Sequence, residues 1–193
     1  APQGPRANVA QASSVQLGTP QTWRAALRSP NWQRRILAIE ALARLGDLDG
    51  MLAATRDRHP VVRRSACEAL GPYHGRDKAR ATVVLASLVH DSDRGVREAA
   101  ALALGWMRVR SARAIQALLE ASHDGFARVR TQAAISLGEL RGTSLDRAIV
   151  ARLSELVRES NVFVRDAATQ SLAWTLRDAP SSARQLVLLL RAT

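Results

Sequence analysis

Four histidines and one cysteine are the residues of this chain whose chemistry reaches beyond packing. His90-Asp91 and His123-Asp124 recur one repeat period apart. Imidazole and carboxylate recurring together are ligands for a divalent metal, so the two pairs raise a metal reading. His59 and His74 are isolated and join no such group. A nucleophilic centre would need Cys67 or a serine beside a base and an orienting acid. Cys67 instead stands among alanines and leucines, where a small apolar side chain fits. No Gly-rich phosphate loop, nucleophile elbow or paired-carboxylate motif occurs. The sequence therefore offers no catalytic residue and no cofactor site.

The elements that hold these residues are set by a repeat. The motif Val-Arg-x-x-Ala-x-x-Ala/Ser-Leu-Gly/Ala begins at Val62, Val96, Val129 and Val164, with a degenerate copy from Arg34-Arg35 to Ala43. Successive anchors are 28, 34, 33 and 35 residues apart. Small and apolar residues fall at the anchor and four, seven and eight residues after it, which is one face of an α-helix. The two small positions leave room for a neighbouring helix to pack closely. Asn31, His59, Asp93, Phe126 and Asn161 precede the anchors by three residues, and three of these are good N-caps. Arg28, Arg56, His90, His123 and Arg158 stand six residues before the anchors, where a cation favours the C-terminus of a preceding helix. Each copy thus reads as helix A, a short turn and helix B, with Gly or a polar loop leading onward. Helix A candidates begin at Thr19-Pro20, Asp47, Asp77, Ser111 and Ser144. Residues 1–17 read as a disordered arm, and a last helix spans 181–191.

Composition agrees with helices throughout. The chain is 47% hydrophobic, ample for a core and too apolar for disorder, yet only 4% aromatic, unlike a sandwich or barrel. One cysteine excludes an intrachain disulfide framework and any multi-cysteine zinc site. No apolar run approaches the ~18 residues that span a bilayer. The longest runs from Ala99 to Met107, with Gly105 counted in.

The signature Asp-x-x-x-x-Val-Arg-x-x-Ala-x-x-Ala-Leu-Gly is carried by Asp57–Gly71, Asp91–Gly105 and, with Ser136 for Ala, Asp124–Gly138. It resembles the HEAT-repeat class, specifically the short HEAT-like repeats of the phycobilisome-lyase type, over roughly residues 19–193. The resemblance implies an all-α, right-handed, armadillo-like solenoid of about five helix pairs plus the terminal helix. The repeats are bounded near 19–46, 47–75, 76–109, 110–142 and 143–178 of a single domain over 18–193. It also implies a ladder of acids and arginines between neighbouring repeats, carried by Asp57/Arg63, Asp91/Arg97, Asp124/Arg130 and Glu159/Arg165. Ser29 replaces the acid in the first copy, so no rung is expected there. HEAT-like hydroxylases bind iron through His-Glu dyads, and this sequence has none. Because Asp91 and Asp124 already have a ladder use, His90 and His123 are read as structural, with no metal.

Trp106 and Trp174 share one position two repeats apart. Ala173-Trp174-Thr175-Leu176-Arg177 is similar to the last repeat of HEAT-like alkylpurine DNA glycosylases, which use a catalytic Asp in a central repeat. The central helix B here, from Val96 to Met107, offers Glu98 and no Asp. Both tryptophans are therefore expected to seal the inter-repeat core at one edge.

The net charge is +11, and Lys78 is the sole lysine, so the surplus is almost all arginine. With the ladder set aside, basic residues gather after helix B. They are Arg76, Lys78, Arg80, Arg108, Arg110, Arg113, Arg141, Arg147 and Arg177. In a stack held in register these align as an edge stripe able to meet an acidic protein or phosphate. The exposed side of helix B is mixed in charge, with Arg64, Glu68, Glu98, Arg128, Gln132, Asp166 and Gln170. The expected function is a non-enzymatic scaffold that presents a rigid curved helical surface to a partner protein. The alternative is a nucleic-acid-binding solenoid using the Arg-rich edge, one form of which is a divergent, inactive relative of the glycosylases. Val187 and Leu188 on the terminal helix point away from its packing face and are expected to form an oligomer or partner contact. A cytoplasmic location is expected. The Ala1-Pro2-Gln3 start gives the alternative of an exported mature chain.

Overall fold

The computed structural model describes residues 18–140 and 146–177. The arm at 1–17, Arg141, the helix start at Ser144 and the terminal helix with Val187 and Leu188 lie outside these residues. Among the described residues the chain forms helices and no strand. The first three pairs are α1 (Pro20–Ala26) with α2 (Trp32–Arg44), α3 (Leu48–Ala54) with α4 (Pro60–Leu70), and α5 (Lys78–Leu88) with α6 (Arg94–Met107). The last two are α7 (Ala112–Ala121) with α8 (Ala127–Glu139) and α9 (Asp146–Leu156) with α10 (Val162–Arg177). Even-numbered helices carry the Val-Arg motif and correspond to helix B.

Helix starts follow the cap residues. Thr19, Asn31, Asp47, Asp93 and Ser111 each accept a backbone N–H of the turn they open, with Asn31 taking Gln33 N at 2.8 Å and Asp93 taking Gly95 N at 2.9 Å. Such a cap contributes on the order of 1 kcal/mol. His59 and Phe126 occupy cap positions without a side-chain bond to the helix. Gly46 follows α2 at φ 66°, a left-handed turn that a side chain would strain.

The B helices lie against one another along their length, whereas the A helices touch their successors at few points. A stack whose two layers are spaced so unequally bends toward the closer one, so the B layer lines the concave side. Small residues make the closeness possible. Ala66, Ala100, Ala133 and Ala168 are fully buried. A Cβ on Gly105 would stand 2.8 Å from Ser136 Cβ and 3.1 Å from its Cα, and Gly138 meets Ser171 at the same distances. These two glycines therefore sit inside α6 and α8 as points of close approach, Gly105 within the helix B that the sequence runs from Val96 to Met107. The reason is a clash: any side chain there would push the next helix away. Leucines fill the space between layers, with Leu70, Leu85, Leu104, Leu118, Leu137 and Leu153 all buried.

Candidate functional site

Arginines of the Val-Arg motif sit in the first turn of each B helix, beside the turn that links it to its own helix A. Arg63 donates from Nε and Nη2 to Asp91 at 2.8 and 2.7 Å, and from Nη1 to the Asp57 carbonyl at 2.9 Å. Arg97 spans Asp124 in the same manner at 2.6 and 3.1 Å, with Nη1 on the Asp91 carbonyl at 2.8 Å. Arg130 reaches Glu159 at 3.0 and 2.7 Å and the Asp124 carbonyl at 2.8 Å. Each arginine thus grips a backbone carbonyl of its own repeat and the carboxylate of the next. Arg165 holds the Glu159 carbonyl at 3.0 Å in the same way.

The first copy departs from expectation. Arg35 forms a full rung with Asp57 at 2.7 and 2.8 Å, and its Nη1 takes the Ser29 carbonyl. Loss of the acid at position 29 does not remove this rung, because the acid an arginine uses belongs to the following repeat. To this rung position 29 contributes its carbonyl, which serine supplies as well as aspartate, while the Ser29 hydroxyl accepts Asn31 N at 3.3 Å.

Burial pushes the carboxyls of Asp57, Asp91 and Asp124 upward, but the facing guanidinium and one backbone N–H outweigh it. All three end below the ordinary aspartate range. The bond from its partner acid correspondingly raises Arg63 and Arg97. These guanidinium sites spend three or four bonds on the two turns they join and hold repeats in register.

Of the remaining chemistry-bearing residues, His90 has a partner, Cys67 is buried and His59 is stacked. His90 Nε2 lies 3.0 Å from Glu120 Oε2, bridging the third repeat to helix α7. His123 is exposed on the same edge, and among the described residues no three His, Cys, Asp or Glu converge to hold a metal. Cys67 is fully buried in α4, and burial pushes its thiol up to about 12. His59 stacks on Trp32 with ring centroids 5.0 Å apart.

The basic edge is less bare than its sequence suggests. Arg80 donates to Asp49 at 2.9 Å and Arg108 to Glu139 at 2.7 Å, acids that lie a repeat away along the chain. Lys78 Nζ is 3.4 Å from His74 Nδ1. Arg76, Arg110, Arg113 and Arg147 are exposed, and Arg177 closes α10. Trp106 and Trp174 do not seal the core as expected. Trp106 is more than half exposed, with its ring edge against Gly71, and Trp174 is also exposed.

What sequence reasoning missed lies on the B layer. Phe126 and Phe163 are 46% and 72% exposed at the N-terminal ends of α8 and α10, and Val61 and Val162 are exposed on the same row. Arg94 lies over the Phe126 ring at 5.1 Å. A depression of about 510 Å³ opens over Gly95, walled by Pro60, Val61 and Arg64 of α4 and by Phe126, Ala127 and Arg128 of α8. A second, of about 490 Å³, adjoins it between α8 and α10, lined by Arg128, Gln132, Asn161 and Phe163. The available signal was Phe126 itself, an aromatic where a cap is preferred.

Residues 48–138 match the family model described as HEAT repeats. Those residues are HEAT repeats, and the described chain as a whole is an all-α solenoid of stacked helix pairs. Among solved structures it is similar to a chain from the complex of CpcE and CpcF of phycocyanin lyase from Nostoc sp. PCC7120. That match has 24% identity and a TM-score of 0.65, over 79% of this chain and 96% of that one. Two engineered proteins are similar at 22% and 20% identity, with TM-scores of 0.61 and 0.63. They cover 81% and 82% of this solenoid and 78% and 81% of their own chains. At these identities the likeness shows the fold alone. Comparison with curated proteins finds no match. Among the described residues of the solenoid no helix is long and apolar enough to cross a membrane.

Proposed function

We propose that this solenoid is a non-enzymatic scaffold that holds a partner protein on the concave face of its B helices. The observation that carries the reading is the pair of adjoining depressions between Val61 and Phe163, with exposed aromatics on a stack whose backbone is already fixed. A preformed surface loses little ordering entropy when it binds, and aromatic and arginine side chains are favoured anchors. Cys67 in the core, and arginines bound up in the ladder, support a role without chemistry. A photo-crosslinking amino acid placed at Ile135 of the B layer should capture protein from a native extract, while the same group at Ala112 of the A layer should not. Nuclease treatment should leave the product intact.

The exposed Arg76, Arg110 and Arg113 favour a second reading, in which phosphate binds along the edge. That reading requires nuclease to abolish capture and requires affinity to fall steeply with salt.

A further inference from the structure

Resting on the scaffold reading, we infer that the B-layer groove takes an extended acidic segment of a partner protein, with two apolar side chains three residues apart and a carboxylate between them. The first depression has a floor without a side chain, since Gly95 lies between the walls of α4 and α8. Its walls are apolar at Pro60, Val61 and Phe126, so an aliphatic or aromatic side chain fits over Gly95. The second depression has Phe163 as its apolar wall.

Arg128 borders both depressions. Its side chain is 86% exposed and holds Glu98 only at 3.4 Å, so its guanidinium remains open to a bidentate carboxylate. Arg94 adds a second cation at the first depression. Its guanidinium covers Phe126, and among the described residues no carboxylate pairs with it. Two acids line the groove. Asp93 accepts Gly95 N and Val96 N, and Glu98 borders both depressions opposite Arg128, so the first depression sets Arg64, Arg94 and Arg128 against two carboxylates. The local field thus favours an anion, as does the net charge of +11 for long-range approach.

Spacing fixes the ligand's form. The depressions are displaced by about one helix along the stack, ~10 Å. An extended segment in the polyproline II form advances ~3.1 Å per residue with three residues per turn, so anchors three residues apart face the same side and reach both, ~9 Å apart. The carboxylate between them passes over Arg128. Phe126 standing where a cap is preferred agrees with this use, because the helix has given up a bond and gained an exposed ring.

The test uses the full chain and a fluorescein-labelled peptide with Leu and Phe three residues apart, Glu between them and Glu flanking. Anisotropy should show saturable binding that weakens at least about tenfold when every Glu becomes Lys. Gly95→Leu fills the first depression, and Arg128→Glu reverses the charge without touching the core. Each should weaken binding by about tenfold or more, with circular dichroism and urea midpoint retained, while Arg76→Glu on the edge should not. Should Gly95→Leu disturb the Asp93 cap, Arg128→Glu still carries the test. Equal binding of the Glu and Lys peptides, or affinity unchanged by Arg128→Glu, overturns the inference. So does a single-stranded oligonucleotide that displaces the peptide and binds more tightly. Persisting capture at Ile135 with no peptide binding would overturn this ligand class and leave the scaffold standing. Loss of both would overturn the scaffold as well.

Discussion

Replacing Arg97 by alanine should uncouple the third repeat from the fourth. The guanidinium makes two bonds to Asp124, at 2.6 and 3.1 Å, and two to the Asp91 and Ser92 carbonyls, at 2.8 and 3.2 Å. Its side chain is 13% exposed and that of Asp124 is 9% exposed. A bond to a charged group contributes ~1.5–3 kcal/mol when desolvated, but water reaches one side of this pair. The four bonds together are therefore worth about 3 kcal/mol rather than their sum. After truncation Asp124 keeps only the Phe126 N–H at 2.8 Å. Solenoid stability is a sum of repeat and interface terms, so the bonds to Asp124 are lost from one interface and the two carbonyl bonds from the third repeat itself. Urea unfolding followed by circular dichroism should show a lower midpoint and a shallower slope, as the two halves begin to unfold separately. A double-mutant cycle with Asp124→Ala should give a coupling of ~2 kcal/mol. The parallel cycle on Arg128 and Glu98, an exposed pair at 3.4 Å, should give less than ~0.5 kcal/mol. Equal couplings in the two cycles, or a parent-like midpoint for Arg97→Ala, would refute the assignment of the ladder as what couples the repeats.

Three further outcomes follow from the same geometry. Gly105→Ala gains ~1 kcal/mol of helix propensity but drives a methyl into Ser136, so the net effect on the urea midpoint should be a loss of ~1–3 kcal/mol. A midpoint raised by this change would show that the helices can separate freely. Because burial pushes the Cys67 thiol up to about 12, it should react with a thiol reagent at pH 8 only as fast as the chain opens, and urea below the midpoint should accelerate it. Asp57, Asp91 and Asp124 are held below their unfolded values, so their contribution is complete above the unfolded pKa of ~3.9 and is lost as pH falls through the folded values. The thermal midpoint should stay level from about pH 7 to 5 and drop below about pH 4, and Asp91→Asn should lessen that drop.

The repeat was legible because one face of every B helix must satisfy the same neighbour, which writes the same small residues at the same spacing. The ladder residues Asp57, Asp91, Asp124 and Glu159 could be read for the same reason, yet each acid pairs with the arginine of the repeat before it, Asp57 with Arg35 and Asp91 with Arg63, and not with the arginine six residues on. Sequence shows which residues recur; only stacking shows that an arginine's carbonyl lies behind it and its carboxylate ahead. The edge stripe was misjudged through the same blindness to stacking. Arg80 and Arg108 look unopposed along the chain because Asp49 and Glu139 are a full repeat away. The motif glycines recur for a reason the sequence does not show, since Gly after a helical run marks a stop unless a neighbouring backbone needs the space. The groove was the least legible feature, because it is built from what each repeat does differently. Gly95, Phe126 and Phe163 occupy neighbouring register positions that the repeat leaves free to vary. In a solenoid the recurring positions therefore encode the stack, and departures from the recurrence mark the surface that a partner reads. Phe126 is the clearest such departure. Restoring a cap there with Phe126→Asp should stabilise α8 by about 1 kcal/mol while weakening peptide binding, a trade that a purely structural phenylalanine would not show.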